Sequence, residues 1–317
     1  MLRFILRRTA QTFLVLLVMS FVIYSLIGLM PGDPIDVMIA GNPGVTPAMV
    51  AHLREIYGLD QPLPLRYWHW LMAALGGDLG FSRTHSQPVL EVLGPALAQT
   101  AKLMLTGWSL SVVLAFILGT LAALKPGGKL DAAIGLFTFA GISVPVFWLA
   151  LILVLVFAVT LHWLPASGMA GIDDGGIVDQ LRHLALPVLT LALANTGTFT
   201  RYVRAAMIET MRMDFIRTAR AKGLSEPRIV IGHALRNALI PVVTIMALSF
   251  GTLFSGALVT ETMFAQFGMG KMIYDAILGN DYNLALSGLL FATLVTLASN
   301  LAADLAYGWL DPRISLR

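Results

Sequence analysis

Residues 201–238 read RYVRAAMIETMRMDFIRTARAKGLSEPRIVIGHALRNA, a strongly charged stretch between apolar ones. Many of its residues are good helix formers, and Gly223 interrupts them with a residue that tolerates the left-handed conformation at which helices end. Beyond it, Ser225 can cap a new helix, and Pro227 stands in the first turn, where no backbone donor is needed. The stretch therefore predicts a helix, a sharp turn and a second helix that together project from the rest of the chain.

The composition of the whole chain places it in a membrane. Of its 317 residues, 57% are hydrophobic and only 12% are charged, whereas soluble domains carry about 25% charged residues. A soluble protein of this length could not bury so much apolar surface in its core, so lipid must cover it. The sequence contains no cysteine, which excludes disulfides, thiolate catalysis and zinc thiolate sites.

Six stretches without Asp, Glu, Lys or Arg come close to the roughly 20 residues that a helix needs to cross a bilayer. They are 9–32, 103–124, 132–161, 183–200, 237–260 and 282–303. Pro145 lies inside the third and is expected to kink it. The first stretch is too long for the apolar part of a signal peptide. We therefore expect an all-α integral membrane protein with six transmembrane helices in a single domain, 1–317.

The distribution of Lys and Arg predicts the side of the membrane that each segment occupies. Fifteen of the 21 basic residues fall in segments on the side of the N-terminus. Cytoplasmic segments carry such an excess, so both termini and loop 201–236 are expected in the cytoplasm and segment 33–101 outside. Two interpretations of the loop stay open here: a solvated basic loop, or a shaped element that docks a partner, which the turn at Gly223 favours.

Residues 217–224, Arg-Thr-Ala-Arg-Ala-Lys-Gly-Leu, resemble the EAA motif of bacterial ABC importer permeases. Further fragments resemble the dipeptide, oligopeptide and nickel branch of that family, and its B-type subunit in particular. They are ILRR (5–8), PGDP (31–34), GGDLGFS (76–82), SVPVFWLAL (143–151), LPASG (164–168), ALPVLTLAL (185–193), ETMF (261–264), NDYNL (280–284) and LDPR (310–313). The chain departs from the general EAA pattern at 217–219 and 233–236. It also has Gln266 and Phe267 where the family usually has Trp-Pro.

The resemblance implies a type I ABC importer permease fold in the bacterial inner membrane. It implies a periplasmic scoop-like segment between helices 1 and 2 and a cytoplasmic coupling helix between helices 4 and 5. The implied partners are a homologous C-type permease in a heterodimer, two ABC ATPase subunits that bind ATP and Mg²⁺, and an extracytoplasmic solute-binding protein. No cofactor on this chain and no nucleic acid are expected. The residues expected to contact the ATPase are Arg217, Ala219, Arg220, Lys222, Gly223, Leu224, Ser225 and Glu226.

The implied function is that of a non-catalytic, channel-forming subunit of an ATP-driven importer, which moves solute by alternating access. Di- or oligopeptides are the first substrate class that the resemblance implies. Nickel chelates, glutathione and opines, which other permeases of the branch transport, are the alternatives.

Two other classes of protein are weighed against this function. A membrane-embedded enzyme would need a nucleophile and a base, but residues 107–111 lack the final Gly of a G-x-S-x-G motif, and the six histidines include no H-E-x-x-H pair. An ion-coupled secondary transporter uses ionisable residues near mid-membrane, and the six predicted spans hold none. No G-x-x-x-x-G-K-[ST] motif is present either, so ATP hydrolysis requires separate subunits.

Two stripes of residues suggest how the spans pack. Small residues recur every four positions in span two, at Ser111, Ala115, Gly119 and Ala123, and predict close helix packing. A stripe on span six becomes more polar toward the cytoplasm and includes Thr296 and Asn300. These two residues and Ser143 are candidates for lining the pathway, since polar groups in membranes face protein or water; packing against a neighbouring helix is the alternative.

Overall fold

The computed structural model describes residues 2–29, 46, 49, 52, 60–171, 176–249 and 253–310. These residues are largely helical, with one short antiparallel hairpin. The α-helices are α1 (Leu2–Ile27), α2 (Leu63–Leu75), α3 (Val89–Leu124), α4 (Lys129–Ser143), α5 (Val146–Leu153), α6 (Ile177–Met211), α7 (Asp214–Ala221), α8 (Glu226–Arg228), α9 (Arg236–Ser249), α10 (Leu253–Met263), α11 (Met269–Leu278) and α12 (Tyr282–Leu310). Two π-helical segments, Val154–Thr160 and Ile229–Leu235, continue α5 and α8, and the hairpin strands are β1 (Phe81–Ser82) and β2 (Gln87–Pro88).

Four helices of the described residues are long and apolar enough to cross a bilayer: α1, α3, α6 and α12. They overlap the first, second, fourth and sixth predicted spans. The predicted span 237–260 falls on α9 and α10, which are separated by residues 250–252, outside the described part of the chain. That crossing, and with it the count of six, stays a prediction.

The third predicted span, 132–161, is broken rather than kinked. The helix axis bends by 108° between α4 and the helical stretch Val146–Thr160, which comprises α5 and the π-helical segment after it. Pro145 causes the break because it has no backbone N–H and forces the preceding residue out of the helical conformation; Val144 accordingly has an extended backbone, with φ −84° and ψ 123°. Beyond α5 the chain widens into its first π-helical segment, which is a rare geometry in helices.

The two longest helices extend well past the charge-free stretches that predicted them. Helix α3 begins at Val89, inside the predicted outer segment 33–101, and α6 continues from span four to Met211. At 1.5 Å per residue, these 36- and 35-residue helices are about 50 Å long, whereas the hydrocarbon core is about 30 Å thick. The absence of charge marks the part of a helix that lipid covers, and it does not mark where the helix ends.

Helices α3 and α6 run parallel and pack closely through small residues. A Cβ at Gly107 would lie 3.0 Å from Leu191 Cβ, and a Cβ at Gly119 would lie 2.6 Å from Val203 Cβ. All four residues of the predicted small-residue stripe on span two are buried, which confirms the packing prediction. Helix α4 packs on α6 in the same way, because Gly197 leaves no room for a side chain beside Thr138 O.

The bundle has two distinct ends. The loop side carries the turn 125–128 and the loop 201–236, and the hairpin side carries residues 60–88 and 264–281. On the hairpin side, Ile23 and Ile27 of α1 pack with α3, α11 and the start of α12. Helix α1 therefore begins on the loop side, where α12 ends. Of the predicted scoop-like segment, α2 and the hairpin are described, and most of 33–59 lies outside the described residues.

Candidate functional site: the projecting loop

Helix α6 continues beyond the end of predicted span four, and this extension, residues 201–211, forms the stalk of the site. Val203 and Met207 of the stalk are buried in an apolar cluster on the loop side. Helix α7 starts at Asp214, directly after the stalk ends at Met211. The predicted order of helix, turn and helix is thus confirmed, with the difference that the first part of the loop is a continuation of the membrane helix.

The turn at Gly223 has a defined hydrogen-bond pattern. Gly223 has a φ of +75°. Its N–H donates to Arg220 O at 2.9 Å, and the N–H of Leu224 donates to Ala219 O at 3.3 Å. These two bonds form a Schellman motif, which requires a left-handed residue at its second-last position. Nothing lies within 4 Å of the Cβ position, so a side chain would not collide with a neighbour. Glycine is favoured there because any other residue would strain the left-handed backbone.

One face of α7 anchors the site in the chain's own core. Ile216 is fully buried and Ala219 is 5% exposed, both in the apolar cluster that also contains Ile229 and the stalk residues, and Leu224 packs partly on this cluster. The side chain of Ala219 therefore seats the helix, and its expected contact with an ATPase stays a prediction. A repeat of apolar residues at positions 216 and 219, one turn apart, is the sequence signal for this anchoring face.

The opposite face carries charge at the surface. Arg217, Arg220, Lys222, Ser225 and Glu226 are exposed, as is Gly223. Arg220 and Glu226 pair with each other across the turn, with Nε donating to Oε1 at 2.7 Å and Nη2 to Oε2 at 3.3 Å. The sequence did not indicate this pairing, because the two residues come together only once the chain turns back at Gly223.

The Arg220–Glu226 ion pair stabilises the turn over a wide pH range. The hydrogen bonds from Arg220 lower the pKa of Glu226, and those to Glu226 raise the pKa of Arg220. Because the pKa of the carboxylate is depressed, the stabilisation is present at neutral pH and is lost as the pH falls through that depressed pKa. Ser225 occupies the predicted cap position of α8, but its hydroxyl makes no capping hydrogen bond.

The three candidate pathway residues lie on two helices, Ser143 on α4 and the other two on α12. Ser143 is exposed at the break after α4, and its hydroxyl donates to Phe139 O at 2.9 Å. On α12, Thr296 is half-buried and donates to Ala292 O, while Asn300 is exposed. Their lining of a pathway stays a prediction. Among the described residues, no group of three or more His, Asp or Glu side chains is placed to hold a metal ion.

Sequence reasoning missed one contact that ties the stalk to its surroundings, between Arg204 and Asp131. The available signal was weak: an acidic residue immediately before the third apolar stretch and an arginine shortly after the fourth. Nothing in the sequence alone indicates that these two positions, 73 residues apart, meet in the fold.

Long apolar helices with a projecting helical loop are typical of a multi-pass membrane protein, and comparison with known sequences identifies the class as a transport permease. Residues 115–316 match the family described as the binding-protein-dependent transport system inner membrane component, and residues 1–104 match its N-terminal part. The chain belongs to this family of inner-membrane transport components.

Two relatives and one solved structure illustrate the similarity. A probable peptide ABC transporter permease protein, y4tP, of Sinorhizobium fredii is 39% identical over 98% of both chains. The di/tripeptide transport system permease protein DppB of Pseudomonas aeruginosa is 37% identical over 99% of both. A chain of the inward-facing methionine ABC transporter MetNI has a similar fold, with a TM-score of 0.57 and 17% identity, covering 70% of this chain and 97% of that one.

Proposed function

We propose that this chain is the B-type permease of an ATP-driven peptide importer and that the loop around Gly223 is its coupling element. The observation that carries the proposal is the exposed left-handed turn at Gly223, held on a buried anchor and surrounded by free space. Relatives that align with this chain over nearly its full length are named as peptide permeases. The partners proposed are a C-type permease, two ATPase subunits and a solute-binding protein.

The mechanism follows from how the loop is mounted. When ATP draws the two ATPase subunits together, one of them holds the exposed face of α7 and the turn that follows, and the other holds the corresponding loop of the C-type permease. The anchoring face passes the displacement to α6, because Ile216 and Ala219 belong to the same apolar cluster as Val203 and Met207 of the stalk. The spans then pivot and open to the solute-binding protein, and hydrolysis with release of the nucleotide resets them.

The proposed orientation places the loop side in the cytoplasm and the hairpin side in the periplasm. The excess of Lys and Arg in the segments of the loop side supports it. The start of α1 and the end of α12 lie on that side too, so both termini are proposed to be cytoplasmic.

Reconstitution tests the function. The chain is co-expressed with a C-type permease and ATPase subunits, placed in liposomes with a peptide-loaded binding protein, and assayed for uptake of labelled dipeptide. We expect uptake with ATP and none with an ion gradient alone. The matched control contains an ATPase subunit whose phosphate loop is inactivated. Uptake that an imposed proton or sodium gradient drives without ATP would contradict the proposal.

Ligand binding by the copurified solute-binding protein tests the substrate class. We expect it to bind di- or oligopeptides in preference to nickel chelates, glutathione and opines. A binding protein that takes one of these other solutes and no peptide would retain the transport mechanism and overturn the peptide assignment.

A further inference from the structure

Arg204 and Asp131 form a two-point ion pair on the loop side. Arg204 Nε donates to Asp131 Oδ1 at 2.6 Å and Nη2 donates to Oδ2 at 2.7 Å. The same Oδ2 accepts the backbone N–H of Gly127 at 2.8 Å. The Asp131 side chain is 9% exposed and that of Arg204 is 36% exposed. When a planar guanidinium donates two hydrogen bonds to one carboxylate, the relative orientation of the two side chains is fixed as well as their separation.

The pair joins two elements that the chain order keeps apart. Arg204 lies on the stalk part of α6, about 10 Å along the helix from its end at Met211, at 1.5 Å per residue. Asp131 lies in the first turn of α4, the first half of the broken third span. The bond to Gly127 also includes the turn that follows α3. One carboxylate thus joins the stalk to the start of α4 and to the turn that follows the end of α3.

The contacts around the pair are suited to transmitting a displacement. Val203, next to Arg204, is fully buried and packs against Gly119 of α3, so the stalk and α3 are closely packed. Helix α4 contacts α6 a second time, closer to the hairpin side, where Gly197 packs beside Thr138. Two contacts on one helix fix its angle as well as its position, so α4 has to follow a tilt of the stalk.

We propose that the Asp131–Arg204 pair is the positioning link that makes α4 move together with the stalk when the coupling loop is displaced. This inference rests on the proposed function. Neither residue touches solute or nucleotide in this account; both act through the helices they join. Displacement of the stalk then moves the broken span at its first turn, and the break at Pro145 allows α4 to change its angle relative to α5.

Charge-neutral variants of the pair test the link in the reconstituted transporter. Asp131→Asn and Arg204→Gln are expected to lower the ratio of solute transported per ATP hydrolysed by roughly two- to thirtyfold, the range that corresponds to the coupling energies of residues between distant sites. The double variant is expected to be no worse than either single one, because the pair acts as a unit. Arg204→Lys, which keeps the charge but loses the two-point geometry, should fall between wild type and Arg204→Gln.

A second ion pair of the same length provides the control. Lys271 Nζ donates to Asp275 Oδ2 at 2.6 Å on α11, at the hairpin side. Asp275→Asn removes it and is expected to leave the transport ratio unchanged. A purely structural role for Asp131 would lower the amount of assembled transporter and leave the transport ratio of the assembled fraction at the wild-type value, which would overturn the proposal.

A distance measurement requires no change to the pair itself. The native chain has no cysteine, so spin labels can be placed at Arg212→Cys on the stalk end and Leu136→Cys on the exposed face of α4. We expect the same distance with and without ATP, because α4 follows the stalk. A distance that changes between nucleotide states would overturn the link. Absence of ATP-driven uptake in the wild type would instead contradict the proposed function, so the two failures are distinguishable.

Discussion

The hairpin side and the projecting loop of this protein, α7 with the turn that follows it, use charged residues in opposite ways. On the hairpin side, Glu261 and Asp281 are buried and accept hydrogen bonds from several segments. On the loop side, the charges of α7 and the turn after it lie at the surface. The first arrangement locks helices together, whereas the second leaves groups available to a partner. A partner that drives the bundle can therefore grip the loop side without dismantling the hairpin side.

Glu261 is a buried carboxylate that holds three helices together on the hairpin side. Its carboxyl group accepts the hydroxyl of Thr100 and the backbone N–H groups of Gly270 and Lys271, the latter two at 2.8 and 3.1 Å. It thereby joins α10 to α3 and to the first turn of α11, where the unpaired N–H groups of a helix favour an anion. Gly268 and Gly270 are required beside it, because a Cβ at either would collide with its neighbours.

Removing Glu261 is expected to have the largest effect on stability. Glu261→Ala leaves buried donors unpaired and opens a cavity, at a cost of roughly 2–5 kcal/mol. The measurement is thermal unfolding of the purified protein, with Glu91→Ala as control, since Glu91 is exposed on the same side. Equal melting temperatures for the two variants would show that the hairpin side is not locked by this carboxylate.

Asp281 is expected to come second, because its carboxylate joins the hairpin only to the start of α12, where Oδ1 accepts the N–H of Leu284 at 3.3 Å. Its Oδ2 accepts from the Ser82 hydroxyl at 2.6 Å and from the N–H and hydroxyl of Thr84 at 2.9 and 2.7 Å. Asp281→Asn should cost about 1–3 kcal/mol locally, since an amide cannot accept all of these bonds. Hydrogen exchange at the Thr84 amide should accelerate, whereas Asp78→Asn should leave it unchanged. Unaltered exchange in the Asp281 variant would argue against the clamp.

Gly223→Val separates stability from coupling on the loop side. The left-handed backbone costs a residue with a side chain about 1–2 kcal/mol, and no clash adds to this because the Cβ position is open. We expect a small loss of stability, retained basal ATP hydrolysis and strongly reduced uptake. Gly223→Asn should be milder, since asparagine tolerates this conformation.

Gly77 is the matched control for Gly223, since it too has a positive φ and nothing within 4 Å of its Cβ position, but it lies on the hairpin side. Gly77→Val should cost similar stability without uncoupling. If both variants lost uptake equally, backbone strain alone would explain the defect and the coupling role of Gly223 would be lost.

Arg217→Gln is expected to have the smallest effect on the fold. Arg217 meets Asp214 at 3.3 Å, and both side chains are almost fully exposed, so the pair adds little stability. We expect an unchanged melting temperature. A lower uptake in this variant would then report on contact with the ATPase, whereas a lower melting temperature would show that the loop side is held by its surface charges after all.

Sequence reasoning succeeded where structure depends on local chemistry. The turn at Gly223 follows from backbone preference, the helix packing at Gly119 follows from side-chain size, and the break at Pro145 follows from a missing N–H. It gave too mild a kink at Pro145, because the angle between two helices depends on what each packs against. It also missed the start of α3 and both ends of α6, since charged residues outside the lipid continue a helix as readily as apolar ones, whereas the end of α3 at Leu124 agrees with the predicted span.

Contacts between distant parts of the chain were beyond the sequence. Glu261 stood in a recognisable fragment, ETMF, but its role at the start of α11 depends on how two helices fold back on each other. Asp131 and Arg204 carry no local pattern that links them. Such pairings are set by the tertiary fold, and a single sequence offers no signal for them.

Cross-linking from Ser225 tests the central claim most directly. Because the chain lacks cysteine, Ser225→Cys places a single thiol on the exposed turn, and Phe81→Cys places one on the hairpin side as control. In the assembled, ATP-hydrolysing transporter, we predict a cross-link from position 225 to an ATPase subunit and none from position 81. A complex in which position 225 yields no cross-link, or reacts only with reagents outside the cell, would contradict the account.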